Sequence, residues 1–92
     1  MAIVTLRYWA AAKEAAGIAE ETINAGTLAE ALAAARGHAS RGEHGGQDSR
    51  LRAVLARSSF LIDGMPVGTR APDAVVLRDA AVIEVLPPFA GG

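Results

Sequence analysis

The spacing of apolar positions changes several times along the 92 residues, and each change marks an element. Ala2 to Trp9 (AIVTLRYW) alternates, with Val4, Leu6 and Tyr8 on one side and Ile3, Thr5, Arg7 and Trp9 on the other. β-Branched and aromatic residues at period two predict a strand with apolar surface on both faces. Ala10 to Ala16 (AAAKEAA) is a run of good helix formers closed by Gly17, so a short helix is expected there. Glu20 to Asn24 (EETIN) returns to a strand pattern. From Gly26 to Arg36 the period lengthens, and Leu28, Ala31, Leu32 and Ala35 share one helical face. Thr27 stands at the N-cap with Glu30 three residues on, the spacing of a capping box, and Gly37 ends the helix.

The stretch over about 37–49 (including HASRGEHGGQDS) has no period and reads as a polar, glycine-rich loop. Arg50 to Arg57 predicts one or two helical turns with Leu51, Val54 and Leu55 inward. Ser59 to Ile62 predicts a strand, Asp63-Gly64 a tight turn, and Met65 to Val67 a short return strand. Thr69 to Ala80 is mostly turn and loop. Ala81 to Leu86 (AVIEVL) is the last strand, with Ala81, Ile83 and Val85 on one face and Val82, Glu84 and Leu86 on the other. This order is not the βαβα alternation of a doubly wound parallel sheet. It predicts an α+β chain, a mixed sheet packed on one main helix, as in ubiquitin-like β-grasp folds. Leu28, Leu32, Val4, Leu6, Ile62 and Ile83 are expected inside, while Trp9, Val82 and Leu86 are candidates for exposed apolar surface. The body is expected over 1–86, and 87–92 is expected to project as a tail.

Composition narrows the chemistry. A chain this short supports one core. A net charge of −1 provides no basic footprint for nucleic acid and no polybasic membrane patch. There is no cysteine, so disulfides, thiolate metal ligands and a thiol nucleophile are excluded. No apolar run approaches a membrane span, and no signal peptide pattern opens the chain, so a cytoplasmic location is expected. His38 and His44 have no ligand partner at a recognised spacing, so no metal site is expected. Gly42 to Gly46 (GEHGG) matches no phosphate-binding loop. Asp73, Asp79, Glu20 and Glu21 read as turn and surface acids, Ser58 and Ser59 lack a nucleophile motif, and Arg7 and Lys13 read as surface charges.

The end of the chain, VLPPFAGG, carries the chemical interest. Pro87-Pro88 stops the strand and favours an extended polyproline path. Phe89, Ala90, Gly91 and Gly92 follow, and the last two lack a Cβ, so their backbone fits a slot too narrow for side chains. A terminal carboxylate is a poor electrophile until it is adenylated, and Gly92 is the candidate working residue.

The first strand and its sequel (Arg7-Tyr8-Trp9-Ala10, then Lys13-Glu14 and Gly17) and the ending Pro87-Pro88-Phe89-Ala90-Gly91-Gly92 resemble the MoaD/ThiS sulfur-carrier family, most of all its molybdopterin synthase small subunits. The likeness covers most of the chain, and P-P-x-x-G-G is its specific part. The polar His38–Ser49 region is longer than in compact members. The resemblance implies a carrier with no catalysis or bound cofactor of its own. An E1-like adenylating enzyme would use ATP to activate Gly92, and a sulfur donor protein would convert it to a thiocarboxylate. The loaded tail would then enter a large synthase subunit, for molybdenum cofactor biosynthesis. Trp9, Val67, Leu86 and Phe89 are expected to form the partner-docking surface. Two alternatives stand beside this. One is a sulfur carrier for thiamine or cysteine biosynthesis. The other is a ubiquitin-like modifier or interaction module.

Overall fold

Strand β1 (Ala2–Tyr8) follows the alternation: Ala2, Val4, Leu6 and Tyr8 are buried, and Ile3, Thr5 and Arg7 face the other way. The structure is a computed structural model that describes residues 2–37 and 49–88. His38, His44, Gly42 to Gly46 and Phe89 to Gly92 lie outside the described residues. Helix α1 (Ala10–Ala16) has the expected bounds, and Gly17 closes it with a left-handed φ of 77°, donating its N–H to the Lys13 carbonyl at 2.9 Å. Strand β2 (Glu20–Ala25) returns antiparallel to β1, with Val4 opposite Ile23 and Arg7 opposite Glu20.

Helix α2 (Leu28–Ala34) starts as its capping residues require. The Thr27 hydroxyl accepts the Glu30 N–H at 3.2 Å, and Glu30 Oε1 accepts the Gly26 N–H at 2.7 Å. It ends short of the expected Arg36, and Glu21 supplies the reason. The Glu21 carboxylate on β2 accepts the Arg36 N–H at 3.1 Å, the Gly37 N–H at 2.6 Å and the Tyr8 hydroxyl. Those amides bond to a strand side chain instead of the preceding helical turn. Glu21 is therefore a half-buried tether, not the surface acid its sequence context predicts. Burial pushes the Tyr8 phenol above its ordinary range, and the Glu21 carboxylate adds to the effect.

Helix α3 (Ser49–Arg57) buries Leu51 and Leu55 and half-buries Val54. Strands β3 (Ser59–Ile62) and β4 (Met65–Pro66) form a hairpin over Asp63-Gly64. Both turn residues have positive φ, 50° and 84°, the geometry that two-residue hairpins prefer. A 3-10 turn at Pro72–Ala74 precedes strand β5 (Val82–Leu86). The sheet order is β2-β1-β5-β3-β4. The central pair β1–β5 is parallel, with Leu6 opposite Ile83 and Tyr8 opposite Val85, and β3 lies antiparallel to β5.

One face of the sheet is covered. Val4, Leu6, Tyr8, Ile83 and Val85 join Ala12 and Ala16 of α1, Leu28 and Ala31 of α2, and Leu51 and Leu55 of α3 in a single core. Three short helices thus share the cover, where the sequence pattern places the weight on the segment after Thr27. Leu32 and Ile62, both expected inside, are only partly buried.

The hairpin turn carries a pH-dependent contact. Asp63 accepts the Val82 N–H at 3.1 Å and the Arg78 Nε–H at 3.1 Å. The Val82 N–H, and then the Arg78 guanidinium, hold the Asp63 carboxyl below its ordinary value. A depressed folded-state pKa contributes stability that is present above the unfolded value, about 3.9, and is lost as pH falls below it. The thermal midpoint of Asp63→Asn should therefore fall less than that of wild type between about pH 5 and pH 3. Asn-Gly suits the same turn, so the fold is kept.

Candidate functional site

Strand β5 is paired to β1 as far as Val85 and to β3 as far as Leu86, its last residue. The inward alternation of Ala81, Ile83 and Val85 continues into Pro87, which is buried, whereas Pro88 is exposed. The body therefore runs one residue past the expected boundary at 86, because the apolar Pro87 ring takes the next inward place in the strand's period. Neither proline has an N–H, so the ladder cannot continue through them. The chain leaves the sheet from its central strand.

The uncovered face beside this exit, which no described helix packs against, is built from β1, β5 and β3. Trp9 stands at the corner where β1 turns into α1: its N–H bonds to the Val85 carbonyl at 3.3 Å, and Ala10 follows with a φ of 49°. Trp9 Nε1 donates to Glu84 Oε1 at 3.1 Å, and the residue is 45% exposed. Glu84 has Arg7 directly across on β1 and Leu61 directly across on β3. Val82 and Leu86 flank it on the same face, and all these side chains are half-buried. Arg7 points its Nε to Glu20 Oε2 at 3.4 Å.

The structure therefore brings Trp9 and Leu86 to one face, as expected, but not Val67. Pro66 pairs with Leu61 on the outer face, so Val67, the next residue, points inward and is only 6% exposed. Phe89 lies outside the described residues, as do Ala90, Gly91 and Gly92. Leu61 is a member of the face that the sequence pattern did not single out, and Glu84, placed on it by the alternation of β5, was given no part in docking. The signal for Glu84 was there: it is the single acid in AVIEVL, at the middle of the outward-facing positions. Asp79, read as a turn acid, accepts the Ile3 N–H at 2.8 Å and ties the start of β1 to the segment before β5. Among the described residues no group of three His, Cys, Asp or Glu could hold a metal ion. No described helix is long and apolar enough to cross a membrane.

No protein-family model matches the sequence, and no curated protein does. Solved structures match over nearly the full length. Small archaeal modifier protein 1 (SAMP1) from Methanosarcina acetivorans is 22% identical with a TM-score of 0.70, covering 100% of this chain and 98% of that chain. SAMP1 from Haloferax volcanii is 18% identical with a TM-score of 0.64, covering 98% of this chain and 99% of that chain. A third match is in the protein–protein complex of subunits 1 and 2 of molybdopterin-converting factor from Helicobacter pylori. It is 23% identical with a TM-score of 0.61, covering 98% of this chain and 99% of that chain. The fold is the ubiquitin-like β-grasp. In this β-grasp the tail exit and the uncovered face are neighbours, because β5 supplies both: its end is the exit, and its outward residues Val82, Glu84 and Leu86 are the middle of the face.

Proposed function

We propose that the chain is a cytoplasmic sulfur carrier, the small subunit of a molybdopterin synthase, with the Gly92 carboxylate as the group that works. The observation that carries the reading is the exit: the central strand is buried through Pro87, exposed at Pro88, and followed in the sequence by Phe89-Ala90-Gly91-Gly92. The fold likeness to a subunit of the two-subunit Helicobacter pylori complex supports the assignment to a synthase over thiazole or cysteine synthesis. An E1-like enzyme joins the Gly92 carboxylate to AMP from ATP and releases pyrophosphate. A sulfur donor protein then delivers sulfur at the oxidation level of sulfide, which attacks the acyl carbon and expels AMP, leaving a thiocarboxylate. The loaded tail enters the large subunit, which supplies the catalytic groups; its sulfur attacks the acceptor as a leaving group departs, and water then hydrolyses the resulting thioester, so the sulfur stays on the acceptor and Gly92 returns as a carboxylate. To the bond-making steps the carrier contributes reach and slenderness only. Intact mass after incubation with the adenylating enzyme, ATP and a sulfur source should show replacement of one oxygen by sulfur. An unchanged mass overturns the reading.

The likeness to two SAMP1 structures favours a second reading, a modifier that joins Gly92 to lysines of other proteins. Lys13 is the only lysine in the sequence, so chains of this protein linked through lysine could form at that one residue alone. Immunoblots of lysate separate the readings, since conjugates give a ladder and a carrier gives one free species.

In either reading the uncovered face, with Trp9 and Leu86, docks the partner. Large exposed aromatics often carry much of an interface's energy. Trp9→Ala should weaken binding to the adenylating enzyme by more than about tenfold, or 1.4 kcal/mol, with little change in thermal midpoint. Loss of stability at unchanged affinity would mean that the indole serves the fold instead.

A further inference from the structure

We infer that Glu84 is a specificity-determining residue of this face, and that it selects a protein partner presenting an arginine set among apolar side chains. The inference rests on the reading above that this face docks a partner. Glu84 is a half-buried acid at the middle of a largely apolar patch, between Val82 and Leu86 along β5 and opposite Leu61 on β3. One carboxylate oxygen accepts the Trp9 Nε1–H at 3.1 Å. Among the described residues no cation lies within ion-pair distance of Glu84. Arg7, directly across on β1, is paired with Glu20 instead. The carboxylate therefore has one oxygen held by an indole and makes no ion pair with a described residue.

An apolar partner surface laid over this patch would strip water from that charge with nothing in return, which is strongly unfavourable. A partner that places a cation there regains the lost solvation and gains a charge-assisted hydrogen bond. Arginine fits better than lysine. Its planar guanidinium can bond to the free carboxylate oxygen and stack on the exposed face of Trp9 beside it. Glu84 thus rejects partners that are apolar or acidic at this point and favours a basic one.

The test compares wild type with Glu84→Gln, which keeps an oxygen to accept the Trp9 N–H but removes the charge. Affinity is measured for the purified adenylating enzyme and for the large synthase subunit of the same organism, at low and at high salt. At low salt Glu84→Gln should bind its partner at least about thirtyfold more weakly, because the partner's arginine is left buried and unpaired. The wild-type affinity should fall more steeply with salt than that of the variant. The thermal midpoints should match. Glu84→Gln binding within about twofold of wild type overturns the inference and leaves the carrier reading intact. Equal weakening at both salts also overturns it, since the carboxylate then serves only to orient Trp9. If wild type binds neither protein, the carrier reading falls, and this inference with it.

Discussion

Deleting Gly92, or adding one alanine after it, is expected to abolish loading and to leave the unfolding curve where it was. The last strand ends at Leu86, Pro87 takes the last inward place among the described residues, and the described core contains no residue beyond it. Deletion draws the carboxylate back by about 3.3–3.6 Å, the extended length of one residue. Reaction geometry tolerates far less, since a misplacement of about 1 Å can cost a hundredfold in rate. The added alanine keeps both glycines but moves the carboxylate outward and places a Cβ where a narrow slot should admit none. Both variants should still bind the adenylating enzyme through the sheet face. Neither should support ATP–pyrophosphate exchange or gain sulfur by intact mass. Loading of either variant at the wild-type rate would remove the tail from the mechanism and leave the sheet face as a non-covalent binding module.

Gly37→Ala is expected to cost more stability than the same change at Gly26, Gly64 or Gly68. Gly37 has a φ of +56°, and a Cβ built there would lie 2.6 Å from the Ala16 carbonyl oxygen and 2.8 Å from its Cα. The left-handed conformation alone costs about 1–2 kcal/mol for a residue with a Cβ. The contact is with backbone of α1, which cannot rotate away, and overpacking of this kind costs about 1–3 kcal/mol more. The Gly37 N–H is also one of the three donors held by Glu21, so a shift of the chain would strain that tether. A total of about 2–5 kcal/mol is a large part of the 5–15 kcal/mol that a domain of this kind has. Gly64→Ala is the control: its φ is +84°, but nothing lies within 4 Å of the added Cβ. Urea unfolding should show the cost of φ alone at position 64 and a clearly larger loss at position 37. Equal losses would mean that the approach of Gly37 to Ala16 contributes nothing.

Local sequence determined most of the elements. Period-two alternation placed β1, β3 and β5, alanine content with Gly17 set both ends of α1, and Thr27 with Glu30 set the start of α2. Asp63-Gly64 marked the one tight hairpin, and the P-P-x-x-G-G ending marked the candidate working group. These features depend on neighbours a few residues apart, so they can be read without knowing what packs on what. The tertiary structure decided the rest. It ended α2 early, because Glu21 on a neighbouring strand takes the Arg36 and Gly37 amides. It moved Val67 from the expected docking face into the core, because strand register, not residue type, chooses the face. It shared the cover of the sheet among three short helices, none long enough to do it alone. It also set Glu84 under Trp9, a contact between residues 75 positions apart that exists only because β1 and β5 lie parallel at the centre of the sheet.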